Sequence, residues 1–114
     1  VLPFTTIAQS KYEVYRMSDV SIVHNNENTL KINEKAVNLV ITFDGNRILI
    51  NDFLYKISSS IVSSNEVNGV MKITLNAVDE NGVNCQIILG NKYGTRELYV
   101  DIVYVSRIIR YYYK

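Results

Sequence analysis

Apolar and polar residues alternate along most of this chain with a period of two. That is the spacing of a strand, whose successive side chains point to opposite faces. The clearest run is Val70 to Val78, where Met71, Ile73, Leu75 and Ala77 alternate with Lys72, Thr74 and Asn76. Asp79-Glu80-Asn81-Gly82 turns the chain, and Val83 to Leu89 returns with Val83, Cys85, Ile87 and Leu89 on one face. Gly90 to Gly94 reads as another turn. Thr95 to Val105 is a long strand with Leu98, Val100, Ile102 and Tyr104 on one side. Ser106 to Tyr113 continues it or forms a last strand.

The first half follows the same logic. Tyr12 to Val23 predicts a strand region with an interruption near Ser18-Asp19, and His24 to Asn28 is a polar turn cluster. Leu30 to Phe43 holds a strand, clearest from Val37 onward. Asp44-Gly45-Asn46 is a hairpin signal, because Gly and Asn tolerate the positive φ that tight hairpins need. Arg47 to Ile57 then returns as one partner strand. Ser58 to Gly69 is rich in Ser and Asn and reads as the main loop, with Ile61-Val62 tucked inward. No long stretch repeats at 3.6, and Val, Ile and Tyr are abundant. The expectation is an all-β domain: a single antiparallel meander of about seven strands, closed as a small barrel or folded as a sandwich.

Residues 1–8 differ from the rest. Val1-Leu2-Pro3-Phe4-Thr5-Thr6-Ile7-Ala8 is uncharged and apolar, with small residues before a cut between Ala8 and Gln9. It reads as the remnant of a secretory signal peptide. The alternative is an N-terminal arm that packs Leu2, Phe4 and Ile7. Residues 9–114 then form one β-domain, and the expected location is exported, periplasmic or secreted, from a bacterium.

With 114 residues, 47% of them hydrophobic, the chain can bury one core. Twelve basic and eleven acidic residues leave a net charge of +1, too weak a field for nucleic acid. The longest apolar runs fall far short of the roughly 20 residues of a membrane helix. The single cysteine, Cys85, has no internal disulfide partner and sits in an apolar alternation, as a buried thiol does.

Candidate chemistry is sparse. His24, the only histidine, lies in the polar turn cluster with no nucleophile or acid at a family-like spacing. One Cys and one His do not make a zinc site. Asp79-Glu80-Asn81-Gly82-Val83-Asn84 has the opening of a calcium loop but lacks its closing Glu, and it joins two alternating runs, so a hairpin turn is the stronger reading. Glu97 and Asp101 share a strand face about 13 Å apart. A glycosidase pair needs roughly 5–9.5 Å. A polysaccharide hydrolase would therefore need acids from different strands, such as Asp52, Glu97 or Asp101, to converge. No motif calls for a cofactor.

Tyrosine is the unusual component, with nine in the chain and three of them at Tyr111-Tyr112-Tyr113. A tyrosine offers a flat apolar face and a polar tip, suited to stacking or a protein interface. Tyr111 and Tyr113 should face one side and Tyr112 the other. Tyr99, Tyr111, Tyr112 and Tyr113 are the candidate contact residues, with Arg110 as a planar polar fork beside them. The terminal run equally suits the end of a last strand.

Thr42-Phe43-Asp44-Gly45-Asn46-Arg47-Ile48-Leu49-Ile50 and Ala77-Val78-Asp79-Glu80-Asn81-Gly82-Val83-Asn84-Cys85, behind an export-like start, resemble small secreted all-β proteins of Gram-negative bacteria, some called lipocalin-like. There is no Trp, so the Gly-x-Trp signature of true lipocalins is missing. The resemblance implies an exported meander or barrel and carries no site residue across. The expected function is a non-enzymatic binding or interaction module for a protein partner or a small apolar ligand. The alternatives are a hydrolase or carbohydrate-binding domain, and a homo-oligomer paired through an edge strand.

Overall fold

A computed structural model of the chain describes residues 9–23, 29–58, 63–67, 69–92 and 97–114. The expected signal remnant or arm at 1–8, the His24 cluster and Ile61-Val62 lie outside the described residues.

The chain forms a closed antiparallel barrel. Nine strands occur among the described residues: β1 (Ser10–Val23), β2 (Thr29–Asp44), β3 (Arg47–Ile50), β4 (Phe53–Ile57), β5 (Ser63–Val67), β6 (Val70–Asp79), β7 (Asn84–Lys92), β8 (Glu97–Val103) and β9 (Arg107–Tyr113). Neighbours follow one another in sequence, and β9 pairs with β1. The ring closes where Tyr55, Lys56 and Ile57 of β4 meet Asp79, Val78 and Ala77 of β6. β5 pairs with the earlier half of β6, from Thr74 back to Val70, so it continues the line of β4 along one edge. Eight strands therefore run around the barrel.

Four sequence expectations need correction. Arg47 to Ile57 is two strands, because Asn51 adopts a left-handed φ of 52° and turns the chain with Asp52. The Asn51 side chain locks that turn by accepting a hydrogen bond from the Val40 amide at 2.9 Å. The Ser58–Gly69 loop contains β5, a polar strand held by backbone pairing. Gly90 lies inside β7 rather than in a turn, and β1 runs without a break through Ser18 and Asp19.

The two expected hairpin turns are present. Gly45 takes φ 61° between paired Asp44 and Arg47, and Gly82 takes φ 81° after Asp79. Alternation then fills the barrel. Val14, Ile41, Ile48, Ala77, Cys85, Ile87, Val100, Ile102 and Ile109 point inward and are buried. An eight-stranded barrel is just wide enough for side chains to fill it. One end is plugged by Tyr12, Phe43 and Tyr113, whose ring centroids lie 5.2–5.8 Å apart. The other end is not filled.

Candidate ligand cavity in the barrel mouth

The unfilled end is a cavity of about 640 Å³. Its floor and walls are Leu39, Ile50, Ile109 and Tyr111, with Phe53, Tyr55 and Tyr104 around them. Asn81, Val83 and Ser106, from the turns after β6 and β8, form the rim. Strand parity sets this lining. Asp79 follows Leu75 and Ala77 on the inward face of β6, and Arg107 precedes Ile109 and Tyr111 on that of β9. Both charged residues line the cavity.

Asp79 is a buried acid, 7% exposed. Its Oδ1 accepts hydrogen bonds from the backbone amides of Asn81 and Val83, both at 2.9 Å. Its Oδ2 accepts one from the Tyr104 hydroxyl at 2.8 Å. Burial raises the cost of its charge, but these three donors outweigh that and hold the carboxyl below its ordinary range. The Tyr104 hydroxyl is pushed up to about 12 by burial and by its hydrogen bond to Asp79. Tyr55 hydrogen-bonds Tyr104 in turn, and burial raises its hydroxyl strongly. Tyr55, Tyr104 and Asp79 thus form a relay of neutral hydroxyls ending on a carboxylate. Cys85 lies nearby in the core, where burial and then the charge of Asp79 push its thiol up to about 11.

Arg107 has its own partner across the β1–β9 pair. Its Nε and Nη2 donate to Asp19 at 3.0 and 2.6 Å. That bidentate contact holds the Asp19 carboxyl low.

The tyrosines singled out in the sequence are divided by the fold. Tyr111 and Tyr113 face inward and Tyr112 outward, as alternation requires. Tyr111 lines the cavity, and Tyr113 belongs to the plug at the opposite end. Tyr99 and Tyr112 lie on the outer face, yet they are only 5% and 8% exposed. Arg110 stacks over Tyr99 and Arg16 over Tyr112, each guanidinium carbon 3.9 Å from the ring centroid. Arg110 also donates from Nε and Nη2 to Asp101 at 2.7 and 2.8 Å. Its fork is engaged within the chain, and the four rings do not form one open aromatic surface.

The acids considered for hydrolysis are also separated. Asp52 lines a groove with Asp44 and Arg47, whereas Asp101 lines another with Ser18 and Glu34. Glu97 starts β8, 3.9 Å from Arg16. Among the described residues, no three of His, Cys, Asp and Glu cluster closely enough to hold a metal ion.

Sequence reasoning put Tyr104 and Val83 on the apolar faces of their strands and weighed Asp79 only as the start of a turn or calcium loop, and it did not offer Tyr55, Phe53, Asp19 or Arg107 as site residues. The available signal was parity: a charged residue in an inward register at a strand end marks the mouth of a barrel. No protein family, curated protein or solved structure matches this chain.

Proposed function

We propose that this protein is a non-catalytic binding module whose barrel mouth holds a small, largely apolar ligand. The observation that carries this reading is the cavity itself. Its volume of about 640 Å³ falls within the range of small-molecule sites. Its walls are aliphatic and aromatic, with a few convergent polar groups, which is the usual composition of such sites. A barrel packed to the end would have placed a plug here, as Tyr12, Phe43 and Tyr113 do at the opposite end.

The test is titration with Nile red, a neutral apolar dye, against the wild type and Val83→Trp. Val83 is an exposed rim residue, so an indole there occludes the mouth without entering the core. The expected result is saturable one-to-one binding by the wild type and its loss in the variant, with unchanged far-ultraviolet circular dichroism. No saturable binding, or equal binding by a folded variant, refutes the reading.

A second reading, self-association, has its own observation. β3 pairs with β2 only from Ile41 to Asp44. Among the described residues, no strand pairs with the outer edge of β2 from Leu30 to Leu39. Leu30 and Ile32 on that stretch are each 63% exposed. Such an edge is a template for a strand of a second copy. Light scattering that gives monomer at every concentration refutes this reading.

A further inference from the structure

The cavity has two charged lining residues, and their charges are met differently. The Arg107 guanidinium is neutralised by the bidentate contact with Asp19. Lys31 and Lys35 also act on Asp19, on the wall of β1 and β2. Asp79 stands on β6, four strands from β1 in the eight-strand ring. Its donors are two backbone amides and a hydroxyl, all neutral. Among the described residues, no ion pair reaches it. The unmet charge of the lining is therefore negative, and it is buried.

The groups around that charge suit a cation. Tyr104 bonds Asp79 directly and Tyr55 is next in the relay. The Phe53 ring meets Tyr55 edge-on, with centroids 5.1 Å apart. Aromatic faces attract an ammonium through their quadrupoles, most strongly where water is excluded. Among the described residues, Oδ2 accepts one hydrogen bond, from Tyr104, and a carboxylate oxygen has room for a second. An anion placed here would instead face a fixed carboxylate across apolar walls.

From this arrangement we infer that the barrel mouth selects an organic cation: a primary amine on a flat aromatic body, with the ammonium at Asp79 and the ring among Phe53, Tyr55 and Tyr111. This rests on the cavity reading above. It also gives the Tyr55–Tyr104–Asp79 relay a role, since the two hydroxyls orient the carboxylate and keep its charge fixed.

A series of three ligands of one shape tests it. Tryptamine, tryptophol and indole-3-propionate carry a positive, neutral and negative tail on the same indole. The chain has no Trp, so the ligand's own fluorescence anisotropy reports binding directly. Tryptamine should bind wild-type protein about tenfold more tightly than tryptophol, with indole-3-propionate weakest, a difference of the size expected for one charge-assisted contact. Asp79→Asn keeps an oxygen for the Asn81 and Val83 amides. It should erase the preference for tryptamine by weakening tryptamine far more than tryptophol. Tyr104→Phe keeps the carboxylate but loses the hydroxyl that orients it, so it should weaken the preference without abolishing it, which gives a second readout if the Asp79 variant folds poorly. Equal binding of tryptamine and tryptophol, tightest binding of indole-3-propionate, or a preference for tryptamine undiminished in folded Asp79→Asn or Tyr104→Phe overturns the inference. If Nile red binds and none of the three indoles does, the cation inference falls and the cavity stands. If none of the four binds, both fall.

Discussion

Gly90 gives the sharpest test of the outer face. It sits inside β7 opposite Tyr99 of β8, and the Tyr99 ring lies over its missing side chain. A Cβ built on Gly90 would meet Tyr99 Cζ at 2.1 Å and the two Cε atoms at 2.4 and 2.5 Å. Gly90→Ala must therefore displace the ring, and the ring is not free to swing. Arg110 stacks on it at 3.9 Å and is itself clamped by Asp101. Overpacking of this kind costs about 1–3 kcal/mol, and losing the guanidinium stack costs about 0.5–1 kcal/mol more. Against this, Ala gains about 0.5–1 kcal/mol over Gly in a strand interior, and the backbone at Gly90 is not in the left-handed region. The net expectation is destabilisation by about 1–3 kcal/mol. In a Tyr99→Val background the obstacle is gone, and Gly90→Ala should be neutral or stabilising by up to about 1 kcal/mol. Urea denaturation of the wild type, both single variants and the double variant should then show a coupling of about 1–4 kcal/mol. A Gly90→Ala cost below about 0.5 kcal/mol, or the same cost in both backgrounds, refutes the argument.

Two further predictions concern titrating groups. The Cys85 thiol, buried and raised to about 11, should alkylate far more slowly in folded protein than in urea at mildly alkaline pH, and equal rates would show that the thiol is open to solvent. Asp19, held low first by its hydrogen bonds from Arg107, contributes stability above the unfolded carboxyl pKa of about 4 and loses it as pH falls through the lower folded value. Asp19→Asn should flatten the acid limb of a stability-against-pH curve, and an unchanged limb would show that the pair is not linked to folding.

Much of the barrel is legible from alternation alone. The inward positions of β6, β7 and β8 follow a period of two without exception from Leu75 to Asp79, Cys85 to Leu89 and Val100 to Tyr104. The same rule separates Tyr112 from Tyr111 and Tyr113. Where the sequence misleads, backbone geometry or a distant partner is the reason. Asn51-Asp52 is a short polar pair inside the apolar run from Ile48 to Leu54, and the decisive hydrogen bond comes from Val40. Ser63-Ser64-Asn65-Glu66 has a loop's composition, but its amides and carbonyls pair with β6. Gly90 resembles a turn residue because the ring that replaces its side chain is supplied by Tyr99, nine positions away. The site is harder still to read. Asp19 and Arg107 are 88 positions apart, and Tyr104 and Asp79 are 25 apart. Only closure of the meander brings them to one mouth, so no local motif announces them.

That closure is uneven, and the unevenness makes a last prediction. β6 pairs with β7 over nine residue positions, from Val70 to Val78, but it meets β4 over only three. Those three include Tyr55 opposite Asp79, two of the three members of the cavity relay. Local opening begins where few bonds must break together, so the β4–β6 seam should be the first part of the ring to exchange its amides. In native-state hydrogen exchange, the amides of Lys56 and Ser58, which face β6 across the seam, should lose protection well before Ile87 and Ile102, which are fully buried in paired strands. A ligand in the mouth that binds only the closed ring adds its binding free energy to the cost of opening. Saturation should then raise protection at Lys56 and Ser58 more than at Ile102. Uniform exchange around the ring would mean that the barrel opens only by global unfolding. Protection by ligand at Ile102 but not at the seam would place the ligand elsewhere than the mouth.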